Sequence, residues 1–249
     1  MNKATDPAYV IALEQSLSRE RLDKYLQAEG GDLEKALRLY EKNTSLSEAF
    51  YTPLQTMEVC LRNQLHNRMT LKYGAAWFNQ PAWLDADSLE KIQQARADLS
   101  FARKPVTPGG IVAELNFGFW VGLLGPRYDA TLWRRALYRS FIHQGRPIKR
   151  TRVHGRFNAL RRFRNRIAHH EPIFNRDLKV MHNEIIEAIG WMCPDTAQWA
   201  AAQSRVSSAC FHKAPLHEAH PIFVLRVWNG GPPHDSQPLA DTPPAQPPV

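Results

Sequence analysis

Apolar residues recur every three or four positions along most of this 249-residue chain. In the segment 13–42 they follow this spacing on both sides of a Gly30-Gly31-Asp32 break, where Asp32 is a natural helix N-cap. No convincing strand-type alternation precedes the segment 221–225. The pattern therefore predicts an all-α fold.

The same spacing predicts further helices. They cover about 45–73, 87–101, 111–124, 130–141, 153–169 and 178–203. Asp87 or Ser88 is the expected N-cap of the helix at 87–101, and Gly125-Pro126 is a stop signal for the helix at 111–124. The helix at 178–203 must bend or restart at Pro194. Its core candidates are Val180, Ile185, Ile189 and Met192.

Three segments are predicted along the chain. Residues 1–43 form an N-terminal helical hairpin that packs on the core, and residues 44–203 form the main helical domain. Residues 204–249 are a C-terminal extension. From about residue 230 it is rich in proline and has no aromatic residue, which predicts disorder.

Positive charge is concentrated in one stretch. The segment from Arg127 to Arg166 has 13 Lys or Arg residues and one acid, Asp129, so it carries +12, while the net charge of +8 leaves −4 for the rest. Local basicity is typical of a polyanion partner, because each neutralised phosphate releases counterions. A solvated face or a membrane-surface patch is the alternative.

Several classes of protein are disfavoured. The longest strongly apolar run, Phe117 to Leu124, is too short to cross a membrane, and the N-terminus resembles no signal peptide, so we expect a cytoplasmic protein without a membrane partner. Cys60, Cys193 and Cys210 form no C-x-x-C pair and are interpreted as buried or inert thiols.

No cofactor is expected, because the chain has no phosphate-binding, dinucleotide-binding or metalloprotease motif. A metal site that joins His182 and Glu184 to His169 or His170 has no supporting ligand spacing. The sequence therefore predicts no metal.

The densest group of chemically useful side chains is Arg164-Asn165-x-x-x-His169. On an ideal helix Asn165 and His169 share a face. Arg164 and His169 are five residues apart, about 140° around the axis, so one straight helix does not bring them together. Either unwinding toward Pro172 or a second copy across a two-fold axis is needed.

These residue types suit metal-independent cleavage of RNA. Such a reaction needs a base for the 2′-hydroxyl, an acid for the leaving 5′-oxygen and positive charge for the phosphorane. Histidine supplies the first two and arginine the third. The alternative is that Arg164 and His169 decorate a basic helix beside a structural histidine.

Other polar residues are candidates for a supporting role. Glu58 and Arg62 have the i,i+4 spacing of a solvated ion pair, or they join Asn63 in a second layer around the cleft. His170 also has the spacing of a second catalytic or supporting residue. The predicted RNA-binding residues are Arg150, Arg152, Arg156, Arg161, Arg162 and Arg166.

The segment from Arg164 to Ile173 resembles the Abi-like abortive infection family of the HEPN superfamily, whose hallmark is Arg, often a polar residue, then His after four to six residues. Further similarity covers about residues 22–187. It is carried by Leu22-x-x-Tyr25-Leu26, Ala36-Leu37-x-Leu39-Tyr40, Glu58–Asn63, Tyr73-Gly74-x-x-Trp77-Phe78, Leu115–Val121 and Leu132-Trp133.

The resemblance implies a HEPN-like helical bundle at 44–203 that forms a homodimer and acts as a metal-independent endoribonuclease in phage defence or toxin-like growth arrest. Arg164 and His169 are then the catalytic pair, with Asn165 beside them; His169 is preferred over His170 because Asn165 can orient it. A cognate antitoxin or noncoding RNA is a further expected partner. The alternative is a non-catalytic, RNA-binding or regulatory dimer that uses the same basic cleft.

Overall fold

A computed structural model describes residues 7–79 and 81–211 of the chain. Helices dominate this part, which confirms the all-α prediction. They are α1 (Pro7–Leu17), α2 (Arg19–Ala28), α3 (Leu33–Ala49), α4 (Tyr51–Tyr73), α5 (Ala86–Phe101), α6 (Pro108–Glu114), α7 (Phe117–Gly122), α8 (Arg150–Ala168), α9 (Leu178–Gly190), α10 (Pro194–Gln203) and α11 (Val206–Phe211). None of the helices in these residues is long and apolar enough to cross a membrane.

The N-terminal helices follow the predicted break. Asp32 caps α3, its side chain accepting a hydrogen bond from the backbone N–H of Lys35, and Gly30 and Gly31 both have positive φ. A second break at Ser18 separates α1 from α2. Because α3 continues to Ala49, the predicted boundary at 43/44 falls inside a helix.

The main core surrounds α4. This helix buries Leu54, Met57, Leu61, Leu65 and Met69 at helical spacing and packs against α7, α9 and α10. Its end before Gly74 is as predicted. A smaller core beside it joins α2 to α3 through Leu22, Tyr25, Leu26 and Ala36.

Two predicted helices are wrong. The 111–124 segment is divided into α6 and α7, because the side chain of Asn116 accepts from the N–H of Phe119 and caps a new helix. Residues 130–141 form no regular α-helix. Instead a 3₁₀ turn (Pro126–Tyr128), a π-helical turn (Asp129–Trp133) and a second 3₁₀ turn (Leu137–Ser140) follow one another.

Other predictions are confirmed only in part. The N-cap of α5 is Asp85 rather than Asp87 or Ser88. Pro194 starts α10 as a separate helix, which is one of the two outcomes predicted there. Ile185 and Ile189 are buried as predicted, but Val180 is 45% exposed and is not a core residue.

A small hairpin precedes α8 and was not predicted. Strands β1 (Ile142–His143) and β2 (Arg146–Pro147) pair antiparallel, and Gln144 and Gly145 both have positive φ in the turn between them. The predicted disorder from about 230 and the strand-like segment 221–225 lie outside the described residues.

Candidate nucleic-acid site at the end of helix α8

Helix α8 holds the motif in place through a row of buried apolar residues. Val153, Phe157, Leu160 and Phe163 recur at three or four positions and are buried. The ring of Phe163 meets that of Phe50 edge to face, with centroids 5.0 Å apart. The polar residues between these anchors are therefore held at the surface in a fixed register.

A groove of about 320 Å³ lies between α4 and α8. Glu58 and Arg62 line it from α4, and Arg164 and Ala168 line it from α8. The Nε atom of Arg164 lies 3.4 Å from a carboxylate oxygen of Glu58, so the two helices are linked by an ion pair in the groove. The structure thus brings together one residue of the motif and two of the predicted supporting residues.

Glu58 and Arg62 do not form the predicted ion pair in the described residues, 7–79 and 81–211. Glu58 pairs with Arg164 instead, because α8 places a guanidinium beside it. Arg62 uses its Nε to donate to Oδ1 of Asn63, at 3.3 Å. Asn63 lies on the exposed side of α4, outside the groove lining.

The two histidines stand at the end of α8 and differ in backbone conformation. His169 is the C-cap, with φ −93° and ψ 12°, and His170 follows with φ +56°. The N–H of Glu171 donates to the carbonyl of Arg166 at 2.7 Å, and that of His170 to the carbonyl of Ile167 at 3.0 Å. This is a Schellman motif in which a histidine occupies the position that glycine usually takes.

Both histidine side chains are exposed, and neither residue is part of the groove lining. The helix is regular through Ala168, so no unwinding brings His169 toward Arg164 within one chain. The side chain of Asn165 makes no hydrogen bond within the described part of the chain. The backbone carbonyl of Asn165 accepts the N–H of His169 at 2.9 Å, as in any helix. The expected orientation of His169 by the Asn165 side chain is therefore not observed.

The N-terminal helices hold the segment that follows the histidines. Arg21 donates from Nη1 to the carbonyl of His170 at 3.0 Å and to that of His169 at 3.4 Å. Asn43, 4% exposed, accepts from the N–H of Ile173 at 2.7 Å and from that of Phe174 at 3.2 Å. Sequence reasoning missed Arg21 and Asn43, because neither lies near the motif in the chain and no spacing connects them to it.

The predicted RNA-binding arginines are not all free cations. Four of the six are paired with carboxylates: Arg150 with Asp129, Arg152 with Glu187, Arg156 with Glu184 and Glu187, and Arg166 with Glu171. Arg161 donates to Oδ1 of Asn158, and the exposed Arg162 has no hydrogen bond or ion pair within residues 7–79 and 81–211. At the first four, a carboxylate competes with any phosphate for the guanidinium.

Electrostatic pairing lowers the effective charge of the basic stretch. Burial alone would raise the pKa of Glu187, but the hydrogen bond from Arg156 and the charges of Arg156 and Arg152 hold that pKa below its usual value. Glu187 is thus ionised at neutral pH and neutralises part of the stretch from another helix. With carboxylates of the described residues, seven of the 13 basic residues from Arg127 to Arg166 form ion pairs.

The thiols are not equivalent. Burial raises the pKa of Cys60 to about 11, whereas Cys193, at the N-cap of α10, has its pKa lowered by hydrogen bonds from Thr196. All three thiols are half-buried, and Cys193 differs from the other two in that its pKa is lowered rather than raised. Within residues 7–79 and 81–211, no three His, Cys, Asp or Glu side chains are grouped as a metal site would need.

Comparisons of the chain with protein-family models, with curated proteins and with solved structures found no match.

Proposed function

We propose that the protein is a metal-independent endoribonuclease of the HEPN type, in which Arg164 and His169 from two copies of the chain form one composite site. The observation that carries this proposal is the position of Arg164. It lines an open groove with Arg62 beside it, and the groove extends to Ala168, the residue that precedes the exposed His169. A phosphate in the groove meets two guanidinium groups, and the imidazole comes from the second copy of the chain.

The chemistry is a transfer of the scissile phosphate to the neighbouring 2′-oxygen. One imidazole takes the proton of the 2′-hydroxyl as its oxygen attacks phosphorus, and a second gives a proton to the 5′-oxygen as the P–O5′ bond breaks. The products are a 2′,3′-cyclic phosphate and a 5′-hydroxyl. The guanidinium groups stabilise the charge that builds on the phosphorane.

A second copy of the chain supplies the second histidine. The straight helix keeps Arg164 and His169 on different sides of α8, so a two-fold axis near the groove is the arrangement that places Arg164 of each copy near His169 of the other. Exposed apolar side chains at the groove support such a contact: Tyr51 is 65% exposed and Val59 is 37% exposed. The dimer is part of the proposal.

The biological setting follows from the resemblance of the motif. Phage defence or toxin-like growth arrest requires cleavage of phage or host RNA in the cytoplasm. It also requires a restraint in uninfected cells, for which a cognate antitoxin or noncoding RNA is the proposed partner.

The test is cleavage of single-stranded RNA in EDTA by the wild type and by the variants His169→Ala, Arg164→Ala and Arg176→Gln. We expect the first two to lose about 100-fold or more in rate. Arg176 is an exposed loop residue outside the cavities described here, and its variant should cleave normally. Formation of a cyclic phosphate that depends on His169 supports the proposal.

Unchanged cleavage in both motif variants would contradict the assignment. Salt-sensitive RNA binding without turnover under any condition would favour the non-catalytic, RNA-binding dimer instead. A molar-mass measurement in solution checks the dimer, and the double variant Tyr51→Asp, Val59→Asp should reduce the mass to that of one chain and abolish cleavage.

A further inference from the structure

A separate cavity, of about 540 Å³, lies beside the hairpin. Arg68 from α4, Arg139 from the 3₁₀ turn before β1 and His143 from β1 are part of its lining. No acidic residue belongs to the lining among the described residues. A cavity lined by cationic side chains without a carboxylate concentrates positive potential.

Arg68 and Arg139 are in contact in the cavity wall. Arg68 donates from Nη2 to the backbone carbonyl of Arg139 at 3.1 Å. Arg139 donates from Nε to the hydroxyl of Tyr138 at 2.9 Å, and its guanidinium carbon lies 5.5 Å from the centre of that ring. Neither arginine forms an ion pair within residues 7–79 and 81–211. Each guanidinium has five N–H donors and uses one, so most of its donors are available to a ligand.

The carboxylate of Glu187 does not neutralise Arg68 and Arg139. Glu187 interacts electrostatically with His143 but is outside the cavity lining. It already pairs with Arg156 at 2.7 Å and with Arg152 at 3.2 Å. The charge of Arg68 and Arg139 is therefore left for an anion from solution.

Two buried polar groups in the cavity wall also lack partners. Ser140 is 3% exposed and Trp191 is 2% exposed, and both residues line the cavity. The hydroxyl of Ser140 and the indole N–H of Trp191 make no hydrogen bond within the described part of the chain. Of the eight unpartnered side-chain atoms that are buried in the described residues, these two belong to one cavity wall, where a polar ligand would satisfy them.

The cavity wall is fixed in place. The N–H of Ile142 donates to the carbonyl of Trp191 at 2.8 Å, which joins the hairpin to the end of α9. Gln64 reaches across from α4 to the carbonyl of Met192 at 3.4 Å. Preorganised donors on secondary-structure elements bind an anion without a large ordering cost.

A continuous surface links this cavity to the groove. An intermediate cavity of about 530 Å³ shares Gln55 and Val59 with the groove and Gln64 with the hairpin cavity. Along α4, Glu58 and Arg68 are ten residues apart, about 15 Å on a helix. A short single strand of RNA spans that distance.

We propose that the hairpin cavity is a phosphate-binding subsite, in which Arg68 and Arg139 hold a backbone phosphate of an RNA strand whose scissile bond lies in the groove. That the strand is RNA rests on the proposed function. Binding of the phosphate group itself does not depend on catalysis.

The first experiment uses inorganic phosphate as the probe and the indole N–H of Trp191 as the reporter. Titration of the ¹⁵N-labelled protein at low ionic strength is followed by NMR, with the Trp191 signal identified from a Trp191→Phe variant. We expect a saturable shift in the wild type and in Arg176→Gln, and a loss of affinity of at least about fivefold in both Arg68→Gln and Arg139→Gln. No shift, or an unaltered shift in both cavity variants, overturns the proposal.

The second experiment separates an RNA strand from free phosphate. Binding of a single-stranded oligoribonucleotide without terminal phosphates to the His169→Ala protein is measured by fluorescence anisotropy over a range of salt. The slope of log affinity against log salt is negative, and loss of one phosphate contact in Arg68→Gln should make it less steep by about 0.7, whereas Arg176→Gln should leave it unchanged.

An unchanged slope in Arg68→Gln, with phosphate binding intact in the wild type, overturns the assignment to an RNA strand. Phosphate binding that depends on Arg68 in a protein that never cleaves RNA supports the subsite while removing the proposed function. The two proposals therefore fail by different measurements.

Discussion

The Nε atom of Arg164 lies 3.4 Å from a carboxylate oxygen of Glu58, across the groove between α4 and α8. The side chains of Arg164 and Glu58 are 39% and 27% exposed, so the pair is screened and contributes about 0.2–1 kcal/mol to stability. Under the proposed function its effect is larger, because the carboxylate would hold the guanidinium in position and would also compete with a phosphate for it.

Glu58→Gln is therefore expected to bind RNA about threefold more tightly and to cleave it about tenfold more slowly, because the charge that opposes the phosphate and the ionic anchor of Arg164 are both lost. Anisotropy in the His169→Ala background measures binding, and single-turnover kinetics with His169 intact measure the rate. Glu48→Gln, which breaks the exposed pair with Arg205, is the matched control and should change neither quantity by more than about twofold. Weaker binding in Glu58→Gln would contradict this account.

His169 and His170 are distinguished by their backbone. Because His170 has φ +56°, His170→Gly removes left-handed strain and is expected to raise the free energy of unfolding by about 0.5–1 kcal/mol. His169 has φ −93°, so His169→Gly should lower it by about the same amount. Urea denaturation measures both.

The same two variants decide which histidine reacts. With His169 as the acid and base, His170→Gly cleaves RNA at the rate of the wild type and His169→Gly does not cleave. The reverse pattern would assign the chemistry to His170 and leave the stability predictions untouched.

The parts of the fold that sequence reasoning predicted are those set by local chemistry. The Asp32 cap, the end of α4 before Gly74 and the end of α8 near His169 each depend on residues within one turn. The break at Asn116 follows the same capping rule, but an apolar run on both sides concealed it. The π-helical turn at Asp129–Trp133 has no comparable sequence marker.

The errors about the site arose from partners on other elements. Helical spacing favoured Glu58 with Arg62, but the position of α8 decides that Glu58 meets Arg164. Counting charges from Arg127 to Arg166 overstated the free positive charge, because Glu184 and Glu187 on α9 pair with arginines of α8. Arg68 and Arg139 are 71 positions apart, so no local pattern joined them.

Asn43 is predicted to secure the chain just after the motif. Asn43→Ala leaves the buried N–H of Ile173 and the half-buried N–H of Phe174 without an acceptor, so we expect a loss of about 2–3 kcal/mol in the free energy of unfolding. Asn43→Asp retains an acceptor and should lose less. Ser45→Ala, on the exposed side of α3, is the control and should change stability by less than about 0.5 kcal/mol. Because Asp has nearly the shape of Asn, an equal loss in the Ala and Asp variants would show that the acceptor oxygen does not set the effect.

Acid is predicted to destabilise the fold through His66. The indole N–H of Trp77, a fully buried residue, donates to Nδ1 of His66 at 3.1 Å, which requires that nitrogen to be unprotonated. Burial lowers the pKa of His66 below its ordinary value of 6.5. The unfolded chain therefore takes up the proton at a higher pH than the folded chain does, so stability falls as pH decreases through about 6.5.

We expect urea denaturation to give a lower free energy of unfolding at pH 5.5 than at pH 7.5, and a smaller difference in His66→Gln. Glutamine offers an oxygen acceptor to Trp77 and does not titrate in this range. Burial also lowers the pKa values of His154 and His182, so part of the pH dependence should persist in that variant. A pH dependence identical to that of the wild type would show that His66 is protonated in both states or in neither, and would remove it as a source of acid sensitivity.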